Sequence, residues 1–182
     1  MGKKLAVIIP GIGYHKDKPL LYYASKLAAS AGYEALHIGF HDMPQKIRGD
    51  EGMMRQAAEL AVTQTEEQLA GVDFDAYESV LFIGKSIGTI AAAKAVQNHS
   101  LSALQIWYTP VEATFSFGTR EAVAFIGEAD PWSDVAAVCK MAEDAGIPIF
   151  TYPACNHSLE CTDVLKNIEI LRDVMEKTSV RL

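Results

Sequence analysis

A serine hydroxyl is a poor nucleophile until a neighbouring base takes its proton, and an imidazole suits that task near neutral pH. A carboxylate behind the imidazole fixes the ring's tautomer and stabilises the imidazolium as it forms. The chain places one residue of each type in a patterned setting: Ser86 in Gly84-Lys85-Ser86-Ile87-Gly88, Asp130 in Gly127-Glu128-Ala129-Asp130, and His157 in Asn156-His157-Ser158. Ser86 stands where the apolar run Val80-Leu81-Phe82-Ile83 ends and the alanine-rich run Ile90-Ala91-Ala92-Ala93 is about to begin. Gly-x-Ser-x-Gly between a strand and a helix is the pattern of a nucleophile elbow. The serine backbone is strained there, and the glycines are needed because side chains would collide with the adjacent strand and helix. The hydroxyl is left at a helix N-terminus, where backbone N–H groups and the helix dipole favour negative charge. A plain βα turn that happens to hold a serine is the rival reading. Gly84-Lys85-Ser86 also matches the end of a phosphate loop, but that motif needs glycine at Ser79 and a loop in place of the apolar run.

The elements that must position these residues can be read from the periodicity. Leu5 to Ile9 is a buried strand ending in the turn Pro10-Gly11-Ile12-Gly13. Asp17 and Pro19 open a helix that Gly32 stops, and Tyr33 to Phe40 forms a second strand. Residues 41–50 form a loop and residues 51–70 a long helix. Ser79 to Ile83 is the third strand, leading to the elbow and a helix that runs to about Asn98. Leu104 to Tyr108 is the fourth strand, followed by a loop from Thr109 to Thr119. Ala122 to Ile126 is the fifth strand, with Ser133 capping the next helix to about Ala145. Ile147 to Tyr152 is the sixth, and Val164, Leu165, Ile168, Leu171 and Met175 mark an amphipathic last helix. Strict alternation of strand and helix implies a three-layer α/β sandwich, a single domain over 1–182 with a mainly parallel sheet of about six strands. Ligands then bind at the carboxyl ends of the strands, where Ser86, Asp130 and His157 all fall.

The bulk properties narrow the classes further. Hydrophobic residues make up 49% of 182 residues, enough for a proper core and too many for a disordered chain. A net charge of -7 argues against non-specific binding to nucleic acid or an anionic membrane. The run Leu5-Ala6-Val7-Ile8-Ile9 is too short for a signal h-region, and no stretch approaches a membrane span. Cys139, Cys155 and Cys161 are odd in number without a Cys-x-x-Cys pair, which reads as reduced thiols in a cytoplasmic protein.

Taken together, the elbow, the Gly127-to-Asp130 loop and Asn156-His157-Ser158 resemble the compact α/β-hydrolases, serine hydrolases related to small bacterial esterases and the dienelactone-hydrolase group. The resemblance covers essentially the whole chain and follows the order nucleophile, acid, histidine. It implies the α/β-hydrolase fold and a Ser86-Asp130-His157 triad acting on a carboxylic ester or related small acyl compound through an acyl-serine intermediate. No cofactor or metal is implied. Ser86 departs from the cysteine of true dienelactone hydrolases, so their substrate does not carry over. Pro10-Gly11-Ile12-Gly13 stands where many members have His-Gly. By position, the N–H groups of Ile12 and Ile87 would form the oxyanion hole, with Gly13 as an alternative to Ile12.

Several choices stay open at the level of sequence. Glu128 competes with Asp130 for the role of acid, although Asp130 matches the Gly-x-x-Asp spacing. Residues 109–119 leave no room for a helical lid, so the pocket should be open and shaped by Tyr14, Met43, Tyr108, Phe115, Phe117 and Trp132. Lys85 reads as a solvated elbow side chain, with a ligand role as the alternative, and His15 as a solvated loop residue, with substrate contact as the alternative. His37 and His41 do not share a helical face, which disfavours a zinc site. His99 reads as a surface cation near a helix end, and Cys155 and Cys161 as small packing residues. A thioesterase or peptidase could use the same triad, and a non-catalytic binding protein could share the fold.

Overall fold

The computed structural model describes residues 2–118 and 121–182. Strands β1 (Lys3–Ile9), β2 (Tyr33–His37), β3 (Tyr77–Lys85), β4 (Leu104–Tyr108), β5 (Ala122–Gly127) and β6 (Ile149–Tyr152) form one sheet in the order β2-β1-β3-β4-β5-β6. Every neighbouring pair is parallel. The strand order reverses between β1 and β3, so the loops leaving these two strands open into one crevice.

Alternation along β1 shows how the layers are made. Ala6 and Ile8 point to one face, where they pack with Leu20, Leu21, Ala24 and Ala28 of α1 (Pro19–Ser30) and Val174 of α5 (Val164–Ser179). Leu5, Val7 and Ile9 point to the other, against Leu69 of α2 (Glu51–Leu69) and Ala91, Ala92 and Ala95 of α3 (Ile87–Asn98). Ala142 of α4 (Val135–Asp144) joins Ala93, Trp107 and Ala124 in a third cluster. The alanines of α3 carry no long side chain, so its backbone lies close under the sheet and nine of its twelve residues are buried. No helix among the described residues is long and apolar enough to cross a membrane.

Element ends differ from the sequence reading for local reasons. β2 stops at His37 rather than Phe40 because side chains of α2 take over the backbone bonds. Gln68 brackets Gly39, accepting from its N–H at 3.0 Å and donating to its carbonyl at 2.9 Å. Gln64 does the same for His41 at 2.9 and 2.8 Å. β3 runs on through Gly84 and Lys85, which pair with Trp107 and Tyr108 of β4. β6 starts at Ile149, since the Ile147 N–H closes α4 on the Ala142 carbonyl at 2.8 Å. The cap of α4 is Asp134, whose carboxylate accepts from the Ala137 N–H at 3.0 Å; Ser133 instead donates to the Pro110 carbonyl at 3.3 Å. Glu112–Phe117 is a 3-10 turn rather than plain loop, and Thr119, the end of the expected loop, lies outside the described residues.

Candidate active site

Ser86 has φ 55° and ψ -124°, a backbone conformation that L-residues avoid. Such a conformation costs on the order of 1–3 kcal/mol and persists only where its surroundings impose it. Here the Ser86 N–H is held by the Tyr108 carbonyl at 3.0 Å. The Ser86 carbonyl accepts from Thr89 twice, from the backbone N–H at 2.8 Å and from Oγ1 at 2.6 Å. With its proton committed there, Thr89 Oγ1 accepts from Thr114 Oγ1 at 2.6 Å, which ties the Glu112–Phe117 turn to the elbow. Both elbow glycines are sterically required. A Cβ on Gly84 would fall 2.6 Å from the Gly88 carbonyl oxygen, and one on Gly88 would fall 2.4 Å from that of Pro10.

The three sequence-selected side chains meet. His157 Nε2 lies 2.8 Å from Ser86 Oγ, and His157 Nδ1 lies 2.7 Å from Asp130 Oδ2. A proton on Nδ1 donates to the carboxylate and leaves Nε2 to accept the serine proton. The Asp130 side chain is fully buried, and its other oxygen accepts from the Trp132 N–H at 2.9 Å. The loops carrying acid and imidazole are zipped together: the Glu128 N–H donates to the Tyr152 carbonyl at 3.0 Å and the Ala129 N–H to that of Cys155 at 2.9 Å. Asn156 shapes the His157 loop by accepting from the Ser158 N–H at 2.7 Å. Glu128 is exposed and accepts from Thr151 Oγ1 at 3.0 Å, so geometry separates it from Asp130.

Burial pushes the His157 imidazole below its ordinary value of 6.5, and the nearby Lys85 charge adds to this; the bond to Asp130 opposes both. The net direction keeps the ring neutral, the form in which Nε2 can take a proton. On the oxyanion side, Ile87 opens α3, so its N–H has no intrahelical acceptor. Gly11 and Tyr14 bridge each other across Ile12 and Gly13, putting those two at the tip of a tight turn. A Cβ on Gly11 would lie 3.1 Å from Ser86 Cβ, which shows how closely this turn passes the candidate nucleophile.

Ser86 and His157 open onto a cavity of about 680 Å³, with Ile12, Gly13 and Ile87 in its wall. Of the aromatic residues expected around the pocket, Tyr14 and Trp132 line it. The Tyr14 hydroxyl accepts from the Leu20 N–H at 3.1 Å, and burial pushes it up to about 12. The Trp132 and His157 rings stand 5.6 Å apart. Tyr108 and Phe115 do not line the cavity. Tyr108 is fully buried on the α1/α5 face, bonded to Thr178 Oγ1 at 2.8 Å. Phe115 packs edge-on against Trp107 at 5.4 Å in the third cluster, joined by Phe117, and Met43 lines a separate surface depression. The alternation of β4 and the inward turn at 112–117 account for this: aromatics that follow a strand end can as easily fill core as face a ligand.

The missed wall is aliphatic. Ile47, from the loop before α2, and Met54 and Ala58, from α2 itself, line the cavity with Ile90 and Val111. Met54 and Ala58 stand one turn apart on α2, and only the fold brings that face of the helix to the elbow. Lys85 is a further correction: it is buried, not solvated, and lines the same cavity. Cys155 is buried and Cys161 half-buried. His37 meets Ser25 and His41 meets Gln64, while His99 pairs with Glu66 and His15 with Asp17. No group of metal-ligating side chains gathers among the described residues.

No protein-family model matches the chain, and no curated protein matches it. Solved structures do. An α/β serine hydrolase homologue from Coxiella burnetii aligns over 96% of this chain and 84% of its own, with TM-score 0.67 and 14% identity. Est1E from Butyrivibrio proteoclasticus aligns over 99% and 88%, with TM-score 0.66 and 12% identity. A protein of unknown function from Agrobacterium tumefaciens aligns over 98% and 85%, with TM-score 0.68 and 18% identity. At these identities the likeness is one of fold: the chain has the α/β-hydrolase fold.

Proposed function

We propose that this protein is a serine hydrolase that cleaves a carboxylic ester or related small acyl compound through an acyl-serine intermediate. The observation that supports this best is the unbroken chain from Ser86 Oγ through His157 to Asp130, at 2.8 and 2.7 Å, on the floor of a cavity large enough for a small acyl substrate.

In this reading Ser86 Oγ attacks the acyl carbon while its proton passes to His157 Nε2. The carbonyl oxygen gains negative charge and is met by the N–H groups of Ile87 and Ile12, aided by the N-terminal dipole of α3. The imidazolium, paired with Asp130, then returns the proton to the departing alcohol oxygen, leaving the acyl group on Ser86. Water, deprotonated by the same imidazole, attacks the acyl-serine, and the imidazolium then gives that proton to Ser86 Oγ as the carboxylic acid departs. Fold likeness to esterases adds to this reading without deciding it. The three unpaired thiols support a reducing compartment such as the cytoplasm.

The test is turnover of a panel of activated esters, thioesters and amides by wild type and by Ser86→Ala. Ester hydrolysis that disappears in the folded variant supports the proposal. Hydrolysis that persists in Ser86→Ala rules it out, and faster turnover of thioesters or amides redefines the substrate class.

A further inference from the structure

Lys85 is a buried charged side chain in the cavity wall that the proposed chemistry does not use. Its residue is 1% exposed. Its stem runs under the Gly11–Tyr14 turn, where a Cβ on Gly11 would lie 3.6 Å from Lys85 Cγ. Its Nζ reaches the Tyr14 ring, 5.0 Å from the centroid, and Lys18 Nζ stands 5.3 Å from the same centroid. Among the described residues no group accepts a hydrogen bond from Lys85 Nζ. Asp130 attracts it through space, but the Asp130 oxygens are taken by the Trp132 N–H and His157.

An ammonium carries three donors, and burying it without acceptors costs more than a ring face returns, about 0.5–2 kcal/mol. Lys18 raises that cost by repulsion. The remaining charges on this cavity are Arg55, Glu51 and Glu112, and Glu112 is engaged by the Asp134 N–H at 2.7 Å; Glu160 acts on Tyr14 from beyond the wall. A buried donor group that lines a substrate cavity beside a second cation is suited to an anion.

We propose that Lys85 is an anion-recognition residue: the substrate carries a carboxylate that pairs with Lys85 Nζ beside Tyr14 while its scissile carbonyl lies at Ser86. Lys18 adds to the positive potential there. This inference rests on the hydrolase reading, and its test must separate the two.

Two matched pairs serve. Monomethyl against dimethyl adipate places the charge on the acyl side, and 4-(butanoyloxy)benzoate against its methyl ester places it on the leaving group. Wild type should favour the anionic member of one pair in kcat/KM. Lys85→Met should lower that anionic-to-neutral ratio about tenfold or more, the scale of a charge-assisted hydrogen bond, and Lys85→Arg should restore part of it. A direct measurement removes dependence on turnover. Burial holds Lys85 down to about 7, so pairing with a carboxylate at pH 8 should draw in a proton. Calorimetry of Ser86→Ala with monomethyl adipate and with 4-(butanoyloxy)benzoate, in buffers of different ionisation enthalpy, should show that uptake for the ligand of the favoured pair. It should vanish when Lys85→Met is added. Turnover with a ratio that Lys85→Met leaves within twofold in both pairs overturns the anion subsite and leaves the hydrolase standing. Lys85-dependent binding and proton uptake without turnover of any ester keeps the subsite and overturns the hydrolase. Binding of neither anion to Ser86→Ala overturns the subsite whether or not Lys85→Met folds, and so does anion binding that Lys85→Met leaves within twofold.

Discussion

Asp130 and His157 lie on different loops yet share a 2.7 Å hydrogen bond, while Glu128, two residues before Asp130, turns outward to Thr151. The difference follows from the strand end. β5 delivers Gly127 against the His157 loop, and the backbone bonds from Glu128 and Ala129 fix that register before the side chains are reached. Asp130→Asn should therefore lower kcat by on the order of a thousandfold or more, because the amide can hold the ring in the wrong tautomer and cannot stabilise the imidazolium. Glu128→Gln should change it by less than about threefold, as expected of a solvated charge. Steady-state kinetics on the two folded variants decides. A crippled Glu128→Gln beside a nearly silent Asp130→Asn contradicts the assignment.

As the proposed general base, His157 should set the pH dependence. Burial and the Lys85 charge both move His157 below 6.5. Below its pKa the ring is protonated and cannot accept the serine proton, so the rate falls on the acid side. The acid limb of kcat/KM should have its midpoint below 6.5, and Lys85→Met should raise that midpoint, since losing a positive neighbour makes protonation easier. A wild-type midpoint above 7 contradicts this sign.

Acyl-chain preference should follow the aliphatic wall. With only the short Glu112–Phe117 turn in place of a lid, the cavity should favour short acyl chains over long lipid chains. Ala58 lines the cavity from α2, so Ala58→Trp should cut the octanoate-to-acetate rate ratio by about tenfold or more. A chain-length series with p-nitrophenyl esters measures it. A wild-type optimum at long chains, or no change of ratio in Ala58→Trp, shows that the wall is misplaced.

Gly88 offers a structural test. A Cβ there would lie 2.4 Å from the Pro10 carbonyl oxygen, which is backbone and cannot swing aside. Gly88→Ala should lose about 2 kcal/mol or more of unfolding free energy, measured by denaturant titration. Stability within about 0.5 kcal/mol of wild type contradicts the close approach.

The strand-to-helix alternation, the sheet of parallel strands and the loops carrying Ser86, Asp130 and His157 were legible in the sequence because each is local: an apolar run, a glycine corner, a helix former. What was not legible is set by tertiary placement. Lys85 reads as solvated because a lysine in a loop usually is; its burial follows from β3 continuing through it and from the Gly11–Tyr14 turn closing over its stem. Tyr108 and Phe115 read as pocket aromatics by position, but strand alternation and the inward turn at Glu112–Phe117 send both into the core. Gln64 and Gln68 look like polar helix surface, and only the fold shows them ending β2.

The most direct measurement is peptide mapping of the intact protein after treatment with a fluorophosphonate. Attack by an activated serine displaces fluoride and leaves a phosphonyl ester on Oγ. One stoichiometric adduct is expected, on the peptide carrying Ser86, absent in Ser86→Ala and slowed by on the order of a thousandfold in His157→Ala. An adduct on another serine, or no adduct on a folded protein that hydrolyses esters, contradicts Ser86 as the nucleophile.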